Sequence, residues 1–276
     1  MNTPIITIIG CGNMGASLIG GLIKNGHPAD KLWVTDSSPS KLEQIAEQWG
    51  VQTSPDNVSA IQNATIVMFA VKPQILHSIA TELATDIQEK KPLVISIAAG
   101  IRESSLSQWL GKEIAIIRSM PNTPALIGCG ATALYANKHV SDEQRENAQR
   151  ILGAVGLVVW VDDEKLMDTI TALSGSGPAY FFLIMDMLQN AAQELGLPSD
   201  IARVLTLQTA LGAARMALES QTPLSELRKQ VTSPGGTTEK AIEVLQQSDI
   251  QSILHAALTA AKNRSEELAL QLAESS

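Results

Sequence analysis

The chain has 276 residues, 45% of them hydrophobic against 17% charged, and a formal net charge of −8. That is enough apolar material for one large domain or two ordinary ones, and it excludes wholesale disorder. The acidic balance, with no Lys/Arg run, offers no basic face for nucleic acid. Two cysteines, Cys11 and Cys129, make no disulfide framework, and four scattered histidines show no metal-ligand spacing, so no metal is expected.

In chain order, the first element is a strand, IITII at 5–9, with no basic segment or cleavage pattern ahead of it. The expectation is a chain without a secretory signal. Apolar, β-branched runs recur at 32–35, 65–71, 93–98 and 114–120, separated by helix-length segments at 14–25, 40–49, 74–89 and 103–110. This rhythm predicts an α/β domain over 1–162, a Rossmann-type, doubly wound, mostly parallel sheet. Runs at 130–136 and 157–161 add edge strands. The longest apolar run, 151–161, is too short to cross a bilayer and ends in Asp162, Asp163 and Glu164. No membrane partner is expected, and the expected location is the cytoplasm.

After Asp162 the strand signal stops. Apolar residues take helical spacing over 178–195, 199–219, 238–247 and 249–272, broken at GLP, QTP and SPGG. A second, all-α domain is predicted over 163–276. Its helices carry Ala and Leu on more than one face, as in ILHAALTAAKN, which points to a symmetric self-association surface. Ordinary core packing is the alternative.

GCGNMG, 10–15, falls between the first strand and the first helix. Gly10 allows the tight turn, Gly12 lets backbone approach a pyrophosphate, and Gly15 lets the helix pack on the sheet. A dinucleotide is the expected ligand, with another nucleotide as the alternative. Asp36 ends the second strand about twenty residues further on, where a carboxylate accepts from the adenosine ribose 2′-OH and favours NADH. Ser37 and Ser38 could instead hold a 2′-phosphate, with Lys41 compensating, and a turn or N-cap role is the other reading of Asp36. The side chain of Cys11 is read as a small filler.

Near the other end lies VTSPGGTT, 231–238. Two glycines clear the way to backbone N–H groups at a helix start, a good seat for a carboxylate, and Ser233 and Thr237 add hydroxyls. A glycine turn that merely caps a helix is the alternative. The motif has no Lys or His, the usual general acid for a ketone.

IGCGNMG, AVKP (70–73), SIAAGI (96–101), RSMPNTPA (118–125), SGSGPAY (174–180) and VTSPGGTT occur together and in this order. The whole chain thereby resembles the Δ1-pyrroline-5-carboxylate reductase family. The resemblance implies reduction of L-1-pyrroline-5-carboxylate to L-proline by NADPH or NADH, and a C-terminal helical domain that dimerises, often into rings of dimers. It implies a cofactor site of Gly10, Cys11, Gly12, Asn13, Met14, Gly15, Asp36, Ser37, Ser38, Asn57, Ala70, Val71, Lys72, Pro73, Met120 and Pro121. The substrate site it implies is Ser233, Gly235, Gly236, Thr237 and Thr238, with Thr238 at the ring nitrogen as the catalytic group. SGSGPAY is read mainly as packing beside the site. Arg118 is either an anion-holding or a structural cation, and Glu219 is given no catalytic role. Two rival readings remain. A β-hydroxyacid dehydrogenase would need Lys72 or Lys165 at the nicotinamide, and a nucleotide sensor would bind cofactor without turnover.

Overall fold

The computed structural model describes residues 3–274, and they divide into two compact units. The first runs to Ser176 and takes up the chain again from Ala260; the second is Gly177–Thr259.

The first unit is built on eight strands: β1 (Ile6–Ile9), β2 (Leu32–Thr35), β3 (Gln52–Ser54), β4 (Ile66–Phe69), β5 (Leu93–Ser96), β6 (Ile116–Met120), β7 (Gly130–Ala136) and β8 (Gly156–Trp160). They form one sheet in the order β3-β2-β1-β4-β5-β6-β7-β8. Every pair is parallel except β6–β7. The strand order reverses between β1 and β4, which makes their carboxyl ends the switch point of a doubly wound sheet.

Among the described residues this unit holds α1 (Asn13–Lys24), α2 (Pro39–Trp49), α3 (Asn57–Ile61), α4 (Pro73–Lys90), α5 (Glu103–Leu110), α6 (Asp142–Gly153) and α7 (Leu166–Ile170), together with the chain's last helix from Ala260 onward. Strand side chains alternate between two cores, as a pleat requires. Ile6, Ile8, Met68 and Ile95 pack with Leu18 and Ile19 of α1 on one face. Ile9, Val67, Phe69 and Val94 pack with Leu76 and Leu83 of α4 on the other. Fully buried side chains of this size contribute about 1.5–3 kcal/mol each, so the sheet has a core of its own.

The second unit holds α8 (Gly177–Glu194), α9 (Ser199–Glu219), α10 (Leu224–Gln230), α11 (Thr237–Gln247) and the opening turns of α12 (Ile250–Glu274). Pro198 and Pro223 each stand immediately ahead of a helix, where a proline starts a helix without losing a hydrogen bond. Helices α8 and α9 pack on one another. Yet among the described hydrophobic residues of this unit only Ala202 is fully buried. Phe181 (67%), Phe182 (64%), Met187 and Leu211 stay exposed.

The predicted strands and long helices are all present, but β7, expected at an edge, is paired on both sides, with β6 and β8. β3, α3, α6, α7 and α10 carry no clear signal in the sequence, because each is short or polar. Helix α6 is the clearest case: its apolar stripe is only Ala148, Ile151 and Leu152. What starts it is a capping box, in which Ser141 accepts from the Gln144 amide while the Gln144 side chain accepts from the Ser141 amide.

Candidate active site

The glycine turn follows β1 directly. Gly10 has φ +99°, and a Cβ there would lie 2.7 Å from the Ala70 carbonyl oxygen. A Cβ on Gly15 would lie 2.3 Å from the Gly10 carbonyl oxygen. Both positions therefore exclude a side chain, and they bring the turn after β1 against the turn after β4. Around Gly12 the space is open, with nothing within 4 Å of its would-be Cβ. Gly12 is also the N-cap of α1, with no side-chain cap. The first amides of a 12-residue helix thus face open space, an arrangement suited to a phosphate.

Two cavities flank this turn. One, of about 470 Å³, is lined by Gly12, Asn13, Met14, Ala70 to Pro73, Ile97 to Ala99, Met120 and Pro121. The other, of about 250 Å³, is lined by Gly10, Thr35, Asp36, Ser37, Pro55, Asn57, Val71, Ile75 and Ile79 among others. A dinucleotide has this shape: a pyrophosphate on the helix start, with a base and ribose to either side. The residues present fit the cofactor. Of the expected set, Cys11, Gly15 and Ser38 fall outside both linings. Ile97, Ala98 and Ala99 were missed, although SIAAGI ends β5, the strand next to the switch point. Lys72 lines the first cavity and Lys165 does not.

Asp36 does two jobs at once. One carboxylate oxygen accepts from the Cys11 amide and the other from the Ser38 amide, each at 3.0 Å. The Lys41 ammonium stands 3.8 Å away. Burial pushes the carboxyl pKa up, but the two amides, the Cys11 thiol and Lys41 together outweigh it and hold the group below the usual carboxylate value. Asp36 therefore fixes the glycine turn as well as facing the second cavity. Asn57 accepts from the Thr35 hydroxyl at 2.6 Å, which orients its amide at the same cavity. Cys11 is a buried filler: burial first, then Asp36, pushes its thiol up to about 11. A thiol so protonated is a poor nucleophile.

The RSMPNTPA and SGSG segments meet at Met120. A Cβ on Gly175 would lie 2.5 Å from the Met120 methyl carbon, so the glycine makes room for a side chain that lines the first cavity. Asn122 clamps the same region by donating to the Ser174 carbonyl at 3.0 Å and accepting from the Ala131 amide at 2.8 Å. Arg118 resolves as a structural cation. It is buried against Glu164 at 2.5 Å, and Glu164 also accepts from the Glu103 amide.

SPGGTT lies in the second unit. The Gly236 amide donates to the Ser233 carbonyl at 3.0 Å, and Gly235 has φ +70°. These are the marks of a type II turn, with proline second and glycine third. A Cβ on Gly236 would sit 2.9 Å from the Ser233 oxygen, which accounts for the second glycine. Gly236 is the N-cap of α11 and has no side-chain cap, leaving the Thr237 and Thr238 amides at the helix start. Ser233, Thr237 and Thr238 are exposed. Sequence reasoning missed Glu239, whose carboxylate accepts from the Gly235 amide at 2.8 Å.

Among the described residues, no group of three or more His, Cys, Asp or Glu side chains could hold a metal ion, and no helix is long and apolar enough to cross a membrane.

The family model for pyrroline-5-carboxylate reductase dimerisation matches residues 164–268, and that for NADP oxidoreductase, coenzyme F420-dependent, matches residues 5–100. The pyrroline-5-carboxylate reductase of Pseudomonas aeruginosa is 47% identical over 274 residues, 99% of this chain and 100% of that protein. A pyrroline-5-carboxylate reductase structure from Coxiella burnetii superposes with a TM-score of 0.94 at 49% identity, covering 97% of this chain and 99% of that one. The Plasmodium falciparum pyrroline carboxylate reductase, solved with NADP bound, gives 0.84 at 28% identity, covering 98% and 99%. With the glycine turn, the flanking cavities and the SPGGTT turn all in place, this chain belongs to the pyrroline-5-carboxylate reductase family.

Proposed function

We propose that this chain reduces L-1-pyrroline-5-carboxylate to L-proline, the last step of proline biosynthesis. Bound NADPH or NADH supplies the hydride that reaches the C=N carbon. The single observation that carries the reading is the pair of cavities meeting at the uncapped start of α1, at the switch point of the sheet.

The chain's own residues position the reactants. Gly12 and the first turn of α1 hold the pyrophosphate. Asp36, Ser37 and Asn57 take the adenosine ribose, and Ala70 to Pro73 with Met120 and Pro121 wall the nicotinamide side. The Thr237 and Thr238 amides, at the positive end of α11, hold the substrate carboxylate with help from the Ser233 hydroxyl. The Thr238 hydroxyl orients the ring nitrogen. An iminium already carries its proton, so no Lys or His general acid is needed in this turn. We assign cofactor binding to 1–162, and substrate binding with dimerisation to 163–276. Assembly as a dimer or ring of dimers, work in the cytoplasm and no nucleic-acid partner belong to the same proposal.

One feature favours a hydroxyacid dehydrogenase instead, the presence of Lys72 in the groove. The test is loss of reduced-nicotinamide absorbance with L-pyrroline-5-carboxylate, NADH and NADPH run in parallel. Oxidation should match proline formed, and Thr238→Ala should lower kcat by about tenfold or more while the cofactor KM holds. Full turnover in that variant would remove Thr238 from the site. Reduction of oxidised cofactor by a hydroxyacid, read as a gain of reduced-nicotinamide absorbance, would move the chemistry to Lys72.

A further inference from the structure

Both glycine amides of the SPGGTT turn are already used inside the protein. Gly236 donates to the Ser233 carbonyl, and Gly235 donates to Oε2 of Glu239. The crest of the turn has no packing to hold it: nothing lies within 4 Å of a would-be Cβ on Gly235. Its φ of +70° is one of several values open to a glycine. The tether at the crest is therefore the Glu239 carboxylate, reaching back one helical turn from the third residue of α11.

We propose that Glu239 is a positioning residue for substrate recognition, acting through Gly235. By fixing the crest it sets the direction of the Thr237 and Thr238 amides and of the Ser233 hydroxyl, which together receive the substrate carboxylate. This inference rests on the proposed role of the turn as that seat. The placement also has a cost. A second carboxylate stands near the anion it helps to bind, half-buried beside Arg228 and Lys229 in a groove of about 290 Å³. The useful property of Glu239 is thus its acceptor oxygen, not its charge, and a glutamine in its place keeps the acceptor.

The experiment is steady-state kinetics on the full-length enzyme with L-pyrroline-5-carboxylate, comparing Glu239→Ala, Glu239→Gln and Thr238→Ala. Loss of the acceptor that tethers the crest should raise the substrate KM of Glu239→Ala about tenfold. Its kcat, and the KM for NADPH and NADH, should stay within about twofold of wild type. Glu239→Gln should return the substrate KM to the wild-type value or below it. A merely structural cap would lower the melting temperature and would not split KM from kcat. If Thr238→Ala is impaired while Glu239→Ala keeps the wild-type KM, the seat stands and the role of Glu239 falls. If Glu239→Gln is as impaired as Glu239→Ala, the acceptor argument is overturned. If both Glu239→Ala and Thr238→Ala match wild type, the turn is not the carboxylate seat.

Discussion

Phe69 and Phe181 show how differently the two units are built. Phe69 closes β4 with no exposed surface, enclosed by α4 and the neighbouring strands, whereas Phe181 on α8 is 67% exposed. The contrast holds across each unit. The sheet buries two cores, one on each face, while the helical unit leaves its phenylalanines and leucines uncovered. Apolar patches of this extent mark an interface, and the region coincides with the matched dimerisation model over 164–268. A sheet domain can complete itself from its own helices. The helical unit needs a second copy to cover its faces.

The sharpest way to break this comparison is a pair of substitutions, one in the sheet core and one on the exposed helical face. Phe69→Ala should cost about 3–5 kcal/mol in urea or thermal unfolding, by an amount independent of protein concentration. Phe181→Asp should leave the sheet intact but weaken self-association, so that the melting temperature becomes strongly dependent on concentration. Equal, concentration-independent losses in both variants would erase the distinction between the units.

A smaller effect sharpens the account of the sheet unit. The Cys11 thiol is pushed from 9.0 to about 11 in the folded protein. Its contribution is therefore complete below about pH 9 and lost as pH rises towards 11, about 1–3 kcal/mol in all. Cys11→Ala should flatten that part of the stability profile relative to wild type in denaturant titrations at pH 8–11. An identical alkaline slope would mean that the thiol is not buried beside Asp36.

The smallest expected effect is at Asp36. Asp36→Ser should raise KM for NADH about fivefold and KM for NADPH less, shifting preference towards NADPH. Because Asp36 also holds the Cys11 and Ser38 amides, neither KM should fall below wild type. An unchanged NADH/NADPH ratio would confine Asp36 to fixing the turn. The depressed pKa has a further sign: the stability that Asp36 provides is present above the ordinary carboxylate pKa and lost as pH falls through its lowered value.

Much of this was legible in the chain because it depends on local chemistry. Strands β1, β4 and β5 announce themselves as apolar, β-branched runs, and GCGNMG and SPGG name the turns that require glycine. β3, a polar Gln-Thr-Ser triplet, has no such pattern and exists because β2 offers it an edge. The Asn122 clamp and the fit of Gly175 around Met120 join segments about fifty residues apart, a relation no local window contains. Glu239 was readable in principle, as an acid in the first turn of a helix. Its use for the Gly235 amide depends on a backbone conformation that the sequence only permits. Arg118 could not be assigned from sequence, because its meaning comes from Glu164, brought to it by folding.

Sedimentation velocity across a hundredfold range of protein concentration addresses the central claim most directly. A species of at least twice the 29.4 kDa chain mass, present wherever pyrroline-5-carboxylate is reduced, is the result expected if the helical faces are covered by a second copy. A fully active 29.4 kDa monomer, with its helical unit stably folded, would contradict the account.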